Sequence, residues 1–148
     1  MQHILIIVAA LLMPFTALAA DFQYSNMLGK WVVRGVRLVD ESGVQALLPN
    51  DAQYMGAVIE FRGDGISWIK GTKSRPLPVL SFFNCTQPPK LASLHRIERD
   101  EYAYRVDGGY KVMCGSRWDV PVLLPVDSST VLLYWYDGGI LLLRRNKQ

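Results

Sequence analysis

The sequence predicts an all-β protein, a small antiparallel up-and-down β-barrel, with a two-sheet sandwich as the alternative. Three observations carry this prediction. Glycine-rich turns recur between apolar runs, at Gly63-Asp64-Gly65, Asp107-Gly108-Gly109 and Asp137-Gly138-Gly139. Residues 130–145 read as seven β-favouring residues, a turn and a second apolar run ending in Arg144-Arg145, a strong hairpin signal. Turn signals divide the chain into about eight to ten short strands, the spacing of a barrel or sandwich.

The final hairpin organises the rest. Alternation along its first strand places Val131, Leu133 and Trp135 on one face and Leu132, Tyr134 and Tyr136 on the other. Both faces are apolar, so the hairpin is expected to be covered on two sides, by the barrel interior and by something else. The same property permits a homodimer packed through it.

Taken in order, residues 21–27 are polar enough for a lead-in arm, and residues 28–39 form the first strand. Along that strand Arg34 and Arg37 stand at odd spacing, which sends them to opposite faces. Residues 40–43 are a turn by composition, residues 44–48 a short strand, and Pro49-Asn50-Asp51 breaks it. Residues 55–62 and 66–70 make the second hairpin. A basic, proline-braced loop follows to Pro78, and residues 79–83 are a short strand leading to Cys85. Residues 86–90 are a loop. Residues 91–100 fit helix or strand, and strand is preferred. Residues 101–106 and 110–114 flank Asp107-Gly108-Gly109 as a third hairpin. Pro121 marks residues 120–124 as an edge or interrupted strand, and residues 125–129 are the loop before the final hairpin.

Composition suits one domain with a real core. Half of the 148 residues are hydrophobic and a fifth are charged, and the net charge of +3 is too small to argue for nucleic acid. Residues 1–20 have a separate explanation. An apolar run from Ile4 to Leu12, a break at Pro14 and the A-x-A pattern Ala17-Leu18-Ala19 read as a secretory signal peptide, leaving residues 21–148 as the domain. The run is too short and proline-interrupted for a stable membrane span. The implied location is the periplasm, or the exterior if the protein is secreted. Export suits the cysteines: Cys85 and Cys114 are the only two, and an oxidising compartment joins them in a structural disulfide. A loop of this length would stabilise the fold by roughly 3 to 4 kcal/mol in the chain-entropy model.

Gly29-Lys30-Trp31, opening the first strand, resembles the G-x-W motif of lipocalins and other calycins. In that superfamily the tryptophan closes one end of an antiparallel barrel beneath an arginine from the end of the last strand. Arg144-Arg145 supply that second half here. The resemblance therefore implies that Trp31, Arg144 and Arg145 close the barrel, the indole sealing it and a guanidinium stacking on the ring while bonding nearby carbonyls. It covers about six residues, and the second lipocalin motif, a Thr-Asp-Tyr turn, is absent. It implies a small barrel whose members carry apolar ligands or plug partner proteins, and it bears on topology more than on activity.

The residues offer little chemistry. His95 is the only histidine after the signal segment, so a histidine metal site would need carboxylates or a partner chain. Ser93 and Ser116 lack a nucleophile context around them. Asp64, Asp107 and Asp137, among the carboxylates available for a hydrolase, are explained by turn propensity. The glycine pairs belong to hairpins and not to a phosphate loop. No catalytic residue, metal or cofactor is expected.

What remains is surface. Trp68, Lys70, Lys73 and Arg75 form an aromatic and basic stretch flanked by Pro76 and Pro78, which pre-organise it and lower the entropy cost of binding a partner. The plainer reading is a solvated loop beside a core tryptophan. The expectation is an exported, non-enzymatic binding protein, an inhibitor or immunity-type protein blocking a partner enzyme or toxin. The alternative is a lipocalin-like carrier of a small apolar ligand.

Overall fold

The computed structural model describes residues 22–39, 47–70, 87–94, 99–101, 104–106, 108–113, 122–135 and 138–147. The signal segment, the turn at residues 40–43, the strand at residues 79–83, His95 and both cysteines lie outside the described residues.

The chain folds as all-β. Ten strands are described: β1 (Gly29–Leu38), β2 (Val58–Arg62), β3 (Gly65–Lys70), β4 (Lys90–Leu94), β5 (Arg99–Glu101), β6 (Tyr104–Val106), β7 (Gly109–Met113), β8 (Val122–Asp127), β9 (Thr130–Tyr134) and β10 (Gly139–Arg145). Eight of them form one antiparallel sheet in the order β3-β2-β1-β10-β9-β8-β7-β4. The sheet is strongly curled, a half-barrel with meander-like order, and not two stacked sheets. The first and last strands meet at its centre: Trp31 pairs with Arg145 and Leu38 with Gly139. Among the described residues β3 and β4 are its two edges, and β5 with β6 makes a separate ribbon.

Period-2 patterning explains which side faces in. Val131, Leu133 and Trp135 join Trp31, Val33, Val36, Ile59, Phe61, Leu123, Leu141 and Leu143 in the core of the concave face. Leu132 and Tyr134 fall on the convex side with Leu124, Ile140 and Leu142. Leu124, Leu132 and Ile140 are completely buried, so the hairpin is covered on both faces. Each such side chain contributes roughly 1.5 to 3 kcal/mol of burial.

Four elements differ from the sequence reading. Among the described residues, the strands on either side of the glycine-rich stretch 107–109 do not pair as a hairpin. β6 pairs with β5, whereas β7 pairs with β4 and β8, where Val112 is buried opposite Leu91 in the core. Strand β8 runs on through Pro125 to Asp127, leaving only a Ser128-Ser129 turn. Its register shifts between Pro125 and Asp127, a ladder irregularity that tolerates a residue without an N–H. Leu47 and Leu48 are not in a strand; they belong to a turn region held by Asp51, whose carboxylate accepts from the Leu48 and Gln53 N–H groups. The fourth difference is in β1. The register shifts between Val33 and Gly35, and Val33 and Val36 both enter the core although three residues apart. Two residues, the exposed Arg34 and the buried Gly35, therefore lie between them. Arg34 and Arg37 share the convex face, and the opposite-face assignment is corrected by this bulge. The segment 50–57 replaces β2 as the neighbour there: Val33 N–H donates to Ala57 O at 2.9 Å, Gly56 N–H to Val33 O at 2.9 Å and Asn50 N–H to Val36 O at 2.8 Å.

Candidate functional site

The most organised polar constellation is at the end of the sheet where β1 begins and β10 finishes. The Arg145 guanidinium carbon lies 4.3 Å from the centroid of the Trp31 ring, and the ring is buried. Trp31 Nε1 donates to Met27 O at 2.7 Å. Arg145 donates from Nη1 to Leu28 O at 2.9 Å, from Nε to Ser128 O at 3.1 Å, and from Nη2 to Asn26 O. One planar cation thus collects three carbonyls from two separate loops while stacking on an indole, which a lysine could not do. Gly29 makes the geometry possible. Its φ of +110° is open to glycine and strained for other residues, and a Cβ there would meet Arg145 Nη1 at 3.8 Å.

The two C-terminal arginines do different work. Arg144 points to the convex side, where Nη1 donates to the hydroxyl of the fully buried Thr130. Beside it Asp127 Oδ1 accepts from Ser129 N–H at 2.7 Å and from Ser129 Oγ at 2.8 Å. Desolvation pushes the Asp127 carboxyl up, but hydrogen bonds from Ser129 and Thr130 with the charge of Arg144 outweigh it and hold it below the usual carboxylate range.

The arm before β1 links the β2–β3 turn to β7 across the half-barrel. Residues Tyr24–Met27 form a single 3-10 turn. The Tyr24 hydroxyl donates towards Arg62 O at 2.9 Å and Gly65 O at 3.1 Å, on the β2–β3 turn. Two residues earlier the Phe22 ring packs on Tyr110 of β7, centroids 5.2 Å apart. Burial first, and the charge of Asp64 second, push the Tyr24 hydroxyl far above its ordinary value, with Arg62 opposing. A cleft opens on each side of the arm. One, of about 650 Å³, lies between Phe22, Asn26, Trp31, Asp127 and Arg145. The other, of about 510 Å³, lies between Phe22, Tyr24, Leu28, Pro88 and Leu91.

At the far end of β3, Trp68 is turned into the core side of the sheet. Its ring stands 5.5 Å from Trp135 and 6.1 Å from Tyr54, and those two are 6.1 Å apart, edge to face. Trp135 Nε1 donates to the Tyr54 hydroxyl at 3.2 Å. Among the described residues, Trp68 Nε1 is buried without a hydrogen-bond partner. Lys70 ends β3, and Lys73, Arg75, Cys85 and Cys114 lie outside the described residues. Trp68 is partly buried and joined to this aromatic cluster.

The lead-in arm is readable from the polarity of residues 21–27, but its contacts with the sheet are not; the bulge carries no composition signal, and the odd spacing of two core valines, Val33 and Val36, is the trace it leaves. Among the described residues no group of three His, Cys, Asp or Glu side chains is placed to hold a metal, and no helix is long and apolar enough to cross a membrane. Compared with known proteins, the chain matches no family model, no curated protein and no solved structure.

Proposed function

We propose that this chain is an exported, non-enzymatic binding protein on a lipocalin-like frame, which acts through its outer surface as an inhibitor or immunity-type protein against a partner enzyme or toxin. The observation that carries this reading is the packed concave face. Trp31, Phe61, Trp68, Trp135 and Tyr54 fill the curl of the sheet with ring against ring, where a carrier of apolar ligands needs open volume. The lipocalin-like part of the reading is supported by Gly29, Trp31 and Arg145 acting as one unit at the sealed end, and by the meander order of the sheet.

The carrier reading has one observation of its own, the cleft of about 650 Å³ beside Phe22 and Trp31. One experiment separates the two. Oxidised, purified protein is immobilised and exposed to envelope and secreted fractions of its source and of neighbouring bacteria, and each captured enzyme is assayed free and bound. A stoichiometric enzyme that loses activity on binding supports the inhibitor reading. A co-purifying small apolar molecule with no protein partner overturns it in favour of the carrier.

A further inference from the structure

We infer that the convex face of β1 beyond its bulge is the docking surface, and that its partner is an acidic protein surface with an apolar edge. The inference rests on the binding-protein reading and names the face and the chemistry of the partner. A central strand normally alternates, so Arg34 and Arg37 would point to opposite sides. The bulge at Val33–Gly35 removes that alternation, and both arginines are exposed on one face while Val33 and Val36 stay in the core. Bulges of this kind re-aim side chains, and they recur beside functional sites.

The rest of the patch is apolar and exposed. Val39, two residues beyond Arg37, is 49% exposed, and Leu48 is 64% exposed. The Asn50 N–H donates to Val36 O at 2.8 Å, and the Asn50 side-chain oxygen accepts from Val36 N–H at 3.3 Å. This pins the loop that carries Leu48 alongside the end of β1. Arginine is among the residues that binding hot spots favour. Among the described residues none accepts a hydrogen bond or ion pair from Arg34. The acidic side chain on the neighbouring described loop, Asp51, is turned to the Leu48 and Gln53 N–H groups. The positive charge of Arg34 is therefore presented outward, and carboxylates accept an arginine fork bidentately.

The test uses the purified chain and its Arg34→Glu/Arg37→Glu variant, with Arg34→Gln/Arg37→Gln as a milder pair should charge reversal disturb folding. Binding is measured to a peptide of alternating Glu and Leu, to its Lys and Leu counterpart, and to phosphatidylglycerol vesicles. The expected result is binding to the acidic peptide alone. It should weaken at least about ten-fold in the Glu variant, and fall as salt rises towards about 0.3 M. Equal binding by the variants, binding to the vesicles only, or no preference for the acidic peptide overturns the inference. A captured partner enzyme whose affinity ignores both substitutions overturns this surface and leaves the inhibitor reading standing, whereas capture of no enzyme removes that reading itself.

Discussion

Arg145 stacks on Trp31 at 4.3 Å and binds backbone carbonyls of Asn26, Leu28 and Ser128. Residues from the two ends of the described chain thereby lock one end of the curled sheet, and the arm that supplies two of those carbonyls also links the β2–β3 turn to β7.

Arg145→Ala should destabilise the protein by about 2 to 3 kcal/mol, through loss of the cation–π contact and of charge-assisted hydrogen bonds. Arg145→Lys should recover less than half, because an ammonium cannot stack and fork together. Urea unfolding midpoints of the two variants decide this, and equal stability of Arg145→Lys and the parent would count against it.

At Gly109 an added Cβ would sit 2.8 Å from Leu124 Cδ2 and 3.2 Å from Val122 Cγ1. Leu124 is fully buried, so its side-chain end must shift within a packed cluster to admit the Cβ. Gly109→Ala should therefore cost about 1 to 3 kcal/mol by overpacking. In the Gly109→Ala/Leu124→Ala pair the cost should be less than additive, a coupling that a double-mutant cycle measures directly.

The pH dependence has two limbs. The Asp127 carboxyl is lowered in the folded protein, so its contribution is complete above the ordinary carboxylate value near 4 and is lost as pH falls through the lowered one. The stability gap between the parent and Asp127→Asn should close on acidification. Tyr24 is raised, so its contribution holds below the ordinary phenol value near 10 and declines above it. Tyr24→Phe should cost about 1 kcal/mol at neutral pH and flatten the alkaline decline. Denaturation midpoints across pH read both limbs.

Trp68→Phe should cost less than Trp135→Phe. The first removes an N–H with no partner among the described residues, while the second removes the donor to Tyr54. The order of the two unfolding free energies is the measurement, and the reverse order would contradict the placement of the aromatic trio.

Much of the fold is legible in local pattern. Strict alternation assigns Val131, Leu133 and Leu132 to their faces without any long-range information. Glycine at position 29 is readable as the start of a strand. Long-range pairing is less visible. That β6 turns back on β5 while β7 joins β4 depends on which partner buries Val112, and no stretch of residues 101–114 records that. The bulge at Arg34 depends on Val33, which accepts from the Gly56 N–H and donates to the Ala57 carbonyl, some twenty residues on. Which of Arg144 and Arg145 meets Trp31 follows from register, and a one-residue slip would exchange them.

The central claim is that the concave face is filled and that binding uses the outer surface. Native mass spectrometry of protein purified from its source envelope under non-denaturing conditions tests this most directly. The account predicts the bare chain mass, alone or joined to a stoichiometric protein partner. A reproducible extra mass from a small apolar molecule, retained by the Arg34→Glu/Arg37→Glu variant and lost when Trp68 or Trp135 is replaced, would contradict it.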